Sequence, residues 1–120
     1  MKKILTILLL TSPSIMYSQQ MTKNEVYDCI VYYEIQHPDI VYAQYALESG
    51  WGKSYAARHR NNLFGFINGQ KYFDSWEECI EFYKKWQDKH YKGGDYYQFL
   101  KDAKYASSPT YTTSLKKIKR

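Results

Sequence analysis

Glu48 is the residue in this chain best placed to do acid–base chemistry. It ends an apolar run, Gln44-Tyr45-Ala46-Leu47-Glu48, and is followed by Ser49-Gly50-Trp51-Gly52-Lys53-Ser54. The two glycines should stop a helix there, leaving Glu48 in its last turn. A carboxylate beside Ala46, Leu47 and Trp51 is costly to ionise if buried, and the negative end of the helix dipole adds to that cost. Both effects favour a carboxylic acid that keeps its proton toward neutral pH, which is what a general acid requires. The alternative is a Glu turned outward into water at a helix end, the usual fate of helical Glu. Downstream, Arg58-His59-Arg60 is either solvated loop charge or a contact for polar substrate groups. His59 has no nucleophile to pair with.

A second carboxylate could serve as the partner base to such an acid. The candidates are Asp74, Glu77 and Glu78. Glu78 is expected to be occupied by helix capping and Glu77 to face outward. Asp74 could point inward as a water-activating base, or it could cap the helix that follows. Cys29 and Cys79 each fall on an apolar helix face. In an exported chain they could pair, closing a loop of about 50 residues worth roughly 4 kcal/mol; the alternative is two buried thiols acting as small hydrophobes. No spacing of His, Cys, Asp or Glu suggests a metal site, and no cofactor is implied.

The elements that must position these groups follow from periodicity. Val26, Cys29, Ile30 and Tyr33 recur at helical spacing, with Thr22 and Glu25 as a capping box, predicting a helix from Thr22 to about Gln36. Pro38 or Asp39 opens a second helix that runs to Ser49 and is apolar on more than one side, so it should be the central one. Ser54 to Arg60 reads as a short helical or irregular connector. Leu63–Ile67 and Gln70–Phe73 flank Asn68-Gly69, a two-residue turn signal that predicts a β-hairpin. Ser75 and Glu78 form a second capping box ahead of a helix carrying Trp76, Cys79, Ile80, Tyr83 and Trp86, ended by Gly93-Gly94. Asp95 caps a shorter helix with Tyr96, Phe99, Leu100 and Ala103 inward. Ser108 as N-cap and Pro109 as first residue open the last helix, whose apolar edge is Leu115 and Ile118.

At 120 residues the chain should form one domain. Residues 1–18 read as a secretory signal: Lys2 and Lys3, then the apolar Ile4–Leu10, with cleavage expected after Ser18. That stretch is too short for a membrane-spanning helix, so an exported mature domain of residues 19–120, a monomer, is expected. The net charge is +5, two units of it from Lys2 and Lys3. The excess suits an anionic surface such as a cell wall. Nucleic acid is not expected as a partner, because the charges are dispersed and no nucleic-acid motif occurs. The fourteen Tyr and three Trp supply both core and surfaces on which sugar rings stack.

Ala46-Leu47-Glu48-Ser49-Gly50-Trp51-Gly52-Lys53-Ser54, followed by Asn61-Asn62-Leu63-Phe64-Gly65 and closed by Tyr105-Ala106-Ser107-Ser108-Pro109-Thr110-Tyr111, resembles the signature of the bacterial and phage peptidoglycan N-acetylglucosaminidase family. These are endo-β-N-acetylglucosaminidases of autolysins and phage lysins, and the resemblance spans Val41 to Ile118. It implies a mainly α (α+β), lysozyme-like domain with a short β-hairpin forming one wall of a cleft. It implies a hydrolase of peptidoglycan glycan strands with Glu48 as acid and Tyr111 beside it, bonding the substrate acetamido group or the developing charge. Trp51, Asn62, Phe64, Gly65 and Tyr105 would form the cleft floor and sugar subsites, and Asp74 is the candidate second carboxylate. The hairpin is short for this family, so the second carboxylate could be missing; a distal Asp or Glu activating water, the substrate's acetamido group, or Glu48 acting first as acid and then as base, would then take its place. Two other readings stay open: a lytic transglycosylase, whose second motif differs from Asn-Leu-Phe-Gly, and a wall-binding protein without activity.

Overall fold

The computed structural model describes residues 20–120, so the expected leader lies outside the described residues. Six helices follow in order: α1 (Lys23–Tyr32), α2 (Pro38–Ser49), α3 (Tyr55–Arg60), α4 (Trp76–His90), α5 (Tyr96–Asp102) and α6 (Tyr111–Lys116). Helix α2 is the axis of the domain: α1 and α6 both pack on it, α4 packs on α1, and α5 packs on α6. Val41, Tyr42, Ala43, Gln44, Tyr45, Ala46 and Ser49 are all buried, so α2 is enclosed on nearly every side, as its composition predicts.

Local chemistry sets the helix ends. Thr22 and Glu25 form the reciprocal capping box at α1, with backbone-to-side-chain bonds of 2.9 and 3.1 Å. Helix α1 stops at Tyr32, four residues short of Gln36. Glu34 adopts φ 59°, its N–H reaches the Val31 carbonyl, and the Ile35 N–H reaches the Ile30 carbonyl. That is a Schellman closure, and it turns Ile35 into the core. Ser75 caps α4 by accepting the Glu78 N–H, but the Glu78 carboxylate reaches back to the Asp74 N–H at 2.6 Å, one residue before the N-cap. Helix α4 ends at His90, ahead of the glycine pair. Asp95 caps α5, accepting from the N–H groups of Tyr97 and Gln98; within that helix Tyr96 and Leu100 are buried, whereas Ala103 is exposed at the C-cap. Helix α6 starts at Tyr111 and not at Pro109, because the Ser108 hydroxyl bonds the Thr110 N–H and holds those residues in a turn.

The mainly helical architecture matches the sequence reading and is compatible with a lysozyme-like fold; the β-hairpin is corrected, since the described residues contain no strand. The chain does reverse at Asn68-Gly69, but Ile67, Asn68 and Gly69 all have positive φ, giving overlapping turns in place of a two-residue turn. The flanking residues share only the turn bond from the Gln70 N–H to the Ile67 carbonyl at 2.8 Å and a long one from the Lys71 N–H to the Phe66 carbonyl at 3.4 Å, and otherwise pair outside the would-be ladder. Buried Asn62 accepts from the Phe66 N–H and donates to the carbonyls of Phe66 and Lys71, at 2.9–3.1 Å. Asn61 donates to the Phe73 carbonyl, and the Phe73 N–H goes to the Arg60 carbonyl. One asparagine side chain thus takes the groups that a strand ladder would have used. Phe64, Phe66, Phe73, Phe82 and Tyr83 cluster against this loop and tie it to α4.

Of the two readings open for Cys29 and Cys79, the structure has the second: both are free, buried thiols. Burial raises both thiols, Cys79 to about 12, so each stays protonated and behaves as a hydrophobe. The Leu63 N–H points at the Cys79 sulfur at 3.4 Å.

Asn62→Ala leaves the Phe66 N–H and the Lys71 carbonyl without their partner. It should cost about 1–3 kcal/mol, read as a lower urea midpoint at unchanged slope, and should expose residues 65–72 to hydrogen exchange.

Candidate active site

The Glu48 side chain is set by how α2 ends. The N–H groups of Gly50 and Trp51 both return to the Ala46 carbonyl, and those of Lys53 and Ser54 return to the Ser49 carbonyl. Buried Ser49 donates to the Tyr45 carbonyl at 2.6 Å and accepts the Gly52 N–H at 2.8 Å. Gly52 has φ 82°, and a Cβ on it would lie 2.4 Å from the Trp76 ring. Trp76 is fixed in turn by its indole N–H on the Ala57 carbonyl, so the Gly-Trp-Gly-Lys-Ser turn is clamped between α2, α3 and α4.

Gly65 brings the loop backbone against the acid. At φ 74°, a Cβ at this position would come within 2.7 Å of the Glu48 Oε1. Only glycine lets the chain pass that close without displacing the carboxyl. From the other side, α6 presents Tyr111. Gln44 and Glu48 are four residues apart on one face of α2, and the Tyr111 hydroxyl faces both: Gln44 Nε2 donates to it at 2.9 Å, and it stands close enough to the Glu48 carboxyl to favour the ionised form. The Tyr105 ring stacks parallel to Tyr111 at 6.0 Å, and its hydroxyl donates to the Phe64 carbonyl at 2.8 Å. The three sequence segments therefore converge: the end of α2 supplies Glu48, the loop supplies Phe64 and Gly65, and the closing segment supplies Tyr105 and Tyr111.

Electrostatics follow from this enclosure. Burial raises the Glu48 carboxyl above its ordinary value, and the Tyr111 hydroxyl opposes that rise in part by bonding the ionised form. Burial, and next the Glu48 charge, push the Tyr111 hydroxyl up; burial does the same to Tyr105, so both remain neutral donors across the working pH range. The site thus holds one acid inclined to keep its proton and one hydroxyl able to steady the anion it leaves.

The remaining predicted residues lie in other surroundings. Trp51 packs on Tyr42 and Tyr45, with the Lys23 ammonium 4.4 Å from its ring. Asn62 is consumed by the loop. Asp74 is exposed beside the start of α4 and is not among the groups that shift Glu48. Among the described residues no cluster of His, Cys, Asp or Glu is arranged to hold a metal ion. Gln44 is the site residue that sequence reasoning missed; its signal was a polar side chain in an otherwise apolar helix, four residues before the acid.

The raised Glu48 carboxyl has a consequence for stability. The folded chain holds this proton more tightly than the unfolded chain does. The associated stability is therefore complete below the unfolded value and is lost as pH rises through the folded value. Glu48→Gln, with no proton to lose, should match wild type at acid pH and become the more stable of the two as pH rises through that window; denaturant unfolding across pH measures it.

The family model described as mannosyl-glycoprotein endo-beta-N-acetylglucosaminidase matches residues 23–120. Compared with curated proteins and with solved structures, the chain finds no match in either. The matched span covers all six helices and every residue that meets at Glu48, and on that ground the chain belongs to the glucosaminidase family of glycoside hydrolases.

Proposed function

We propose that this protein is an exported peptidoglycan hydrolase that cleaves the β-1,4 bond after N-acetylglucosamine, with Glu48 as its general acid. The observation that carries the proposal is the half-buried Glu48 at the end of α2, with the Gly65 backbone against one oxygen and the Tyr111 hydroxyl beside the carboxyl. In this reading Glu48 gives its proton to the glycosidic oxygen as the bond to the anomeric carbon breaks. The carboxylate left behind accepts from Tyr111. Tyr105 holds Tyr111 by stacking and holds the Gly65 loop through the Phe64 carbonyl.

Asp74 is exposed beside the start of α4, which favours the substrate's acetamido oxygen as the group that attacks the anomeric carbon. Water then opens the cyclic intermediate and Glu48 recovers its proton from that water, so the acid returns to its starting state. In the alternative, Asp74 activates water directly. It would have to reach the site from the exposed start of α4.

Glu48→Gln should lower the release of glycan fragments from purified peptidoglycan by about 10²–10⁴-fold while the fold persists. Mass spectrometry should find reducing N-acetylglucosamine ends. Anhydro ends would indicate a lytic transglycosylase, and equal binding without release by both proteins would indicate a wall-binding module. Gly65→Ala should lower turnover by about 10²-fold by moving the carboxyl, with little change in substrate binding.

A further inference from the structure

Behind Glu48 a continuous line of polar side chains crosses the core. Gln44 Oε1 accepts from the Tyr83 hydroxyl, the Tyr83 and Tyr96 hydroxyls are 2.6 Å apart, and Gln87 Nε2 lies 3.0 Å from the Tyr96 oxygen. Tyr83, Gln44 and Gln87 are fully buried and Tyr96 is 1% exposed. No buried side-chain polar atom among the described residues lacks a partner. A polar chain enclosed this fully is costly unless every member is satisfied, so the question is what it does for the domain.

Its far end removes the ambiguity of direction. The Gln87 amide bonds both backbone groups of Gln36: the Gln36 N–H donates to Oε1 at 2.8 Å, and Nε2 donates to the Gln36 carbonyl at 2.9 Å. A backbone N–H can only donate and a carbonyl can only accept, so this amide has one orientation. The second Nε2 hydrogen then goes to Tyr96. Tyr96, having accepted, donates to Tyr83, and Tyr83 donates to Gln44 Oε1. Gln44 therefore turns Nε2 toward Tyr111, and the Tyr111 hydrogen is left for Glu48. In the reversed chain Gln44 is flipped, Tyr111 donates to Gln44, and the Tyr96 oxygen receives from both neighbours with its own hydrogen unspent in the core. That orphaned donor disfavours reversal.

We propose that Gln87, locked on the Gln36 backbone, is a positioning residue that sets the hydrogen-bond direction of this chain and so commits the Tyr111 hydroxyl to donate to Glu48. It acts through Tyr96, Tyr83 and Gln44 from the opposite end of the line, and touches neither substrate nor acid. The titratable groups that interact with Glu48 are Tyr111 on α6 and Tyr105 before it; no charged side chain among the described residues contributes to its shift. The direction of one hydroxyl is therefore the main polar influence on the acid. The inference rests on Glu48 being the acid of the proposed function only for its catalytic meaning; the effect on the carboxyl itself does not depend on turnover.

The test is a carboxyl-carbon NMR titration of Glu48 in wild type, Gln87→Met and Tyr83→Phe. Each variant frees Gln44 to flip and Tyr111 to turn away. The Glu48 midpoint should rise by about half a unit to one unit in both, as expected for weakening one hydrogen bond to the anion. Ile30→Val, which trims the core without removing a hydrogen-bonding group, should leave the midpoint in place even though the domain is destabilised. With peptidoglycan as substrate, the alkaline limb of kcat/KM should move with the midpoint while KM holds. An unchanged midpoint in whichever of the two variants folds overturns the relay. Full turnover by Glu48→Gln would instead overturn the proposed function, leaving the titration result to stand separately.

Discussion

A half-buried carboxyl group at the end of a buried helix, faced by a single hydroxyl, is the constraint around which this domain is arranged. Burial favours the neutral acid; Tyr111 favours the anion. In the proposed role Glu48 must first give a proton and then tolerate its loss, which needs both influences. With burial alone the acid would hold its proton too firmly. With strong bonding or exposure it would surrender the proton to water before any substrate arrived.

Much of the local structure follows from keeping that balance. Helix α2 must be enclosed to desolvate Glu48, so α1 and α6 both pack on it. The loop must pass close enough to exclude water, which requires Gly65, and it must hold that path, which occupies the whole side chain of Asn62. Helix α6 must deliver Tyr111 to the face that carries Gln44 and Glu48. Tyr105 joins these demands, stacking on Tyr111 and bonding the loop through the Phe64 carbonyl. Part of the aromatic richness of the sequence lies here and in the Phe66–Phe82–Tyr83 cluster behind the loop.

Features that depend on near neighbours could be read in the chain. The α2 boundaries, the Thr22–Glu25 box, the Asp95 cap and the placement of Glu48 before two glycines rest on contacts a few residues apart, and the structure has them. The hairpin failed because its turn was local but its ladder was not: Asn62, upstream of both proposed strands, takes the backbone groups the strands would have shared. Helix α1 stopped early because Ile35 gains burial through a left-handed Glu34, a conformation no periodicity announces. Gln44 carried only its polar type in an apolar helix as a signal, and Gln87 carried none, for a related reason. A glutamine in a helix is ordinarily a solvated residue, and only tertiary packing reveals that its amide spans two buried hydroxyls or a distant backbone. Tyr111 was found through the closing Tyr-Ala-x-x-Pro-x-Tyr resemblance, and the helix that carries it begins only at that residue.

The protonation of Glu48 can be observed without substrate. Infrared difference spectra between wild type and Glu48→Gln should contain a protonated-carboxyl band at a pH where solvent-exposed glutamates are already ionised, and that band should vanish only on further alkalinisation. A wild-type spectrum showing only a carboxylate signal for this residue at mildly acidic pH would contradict the account.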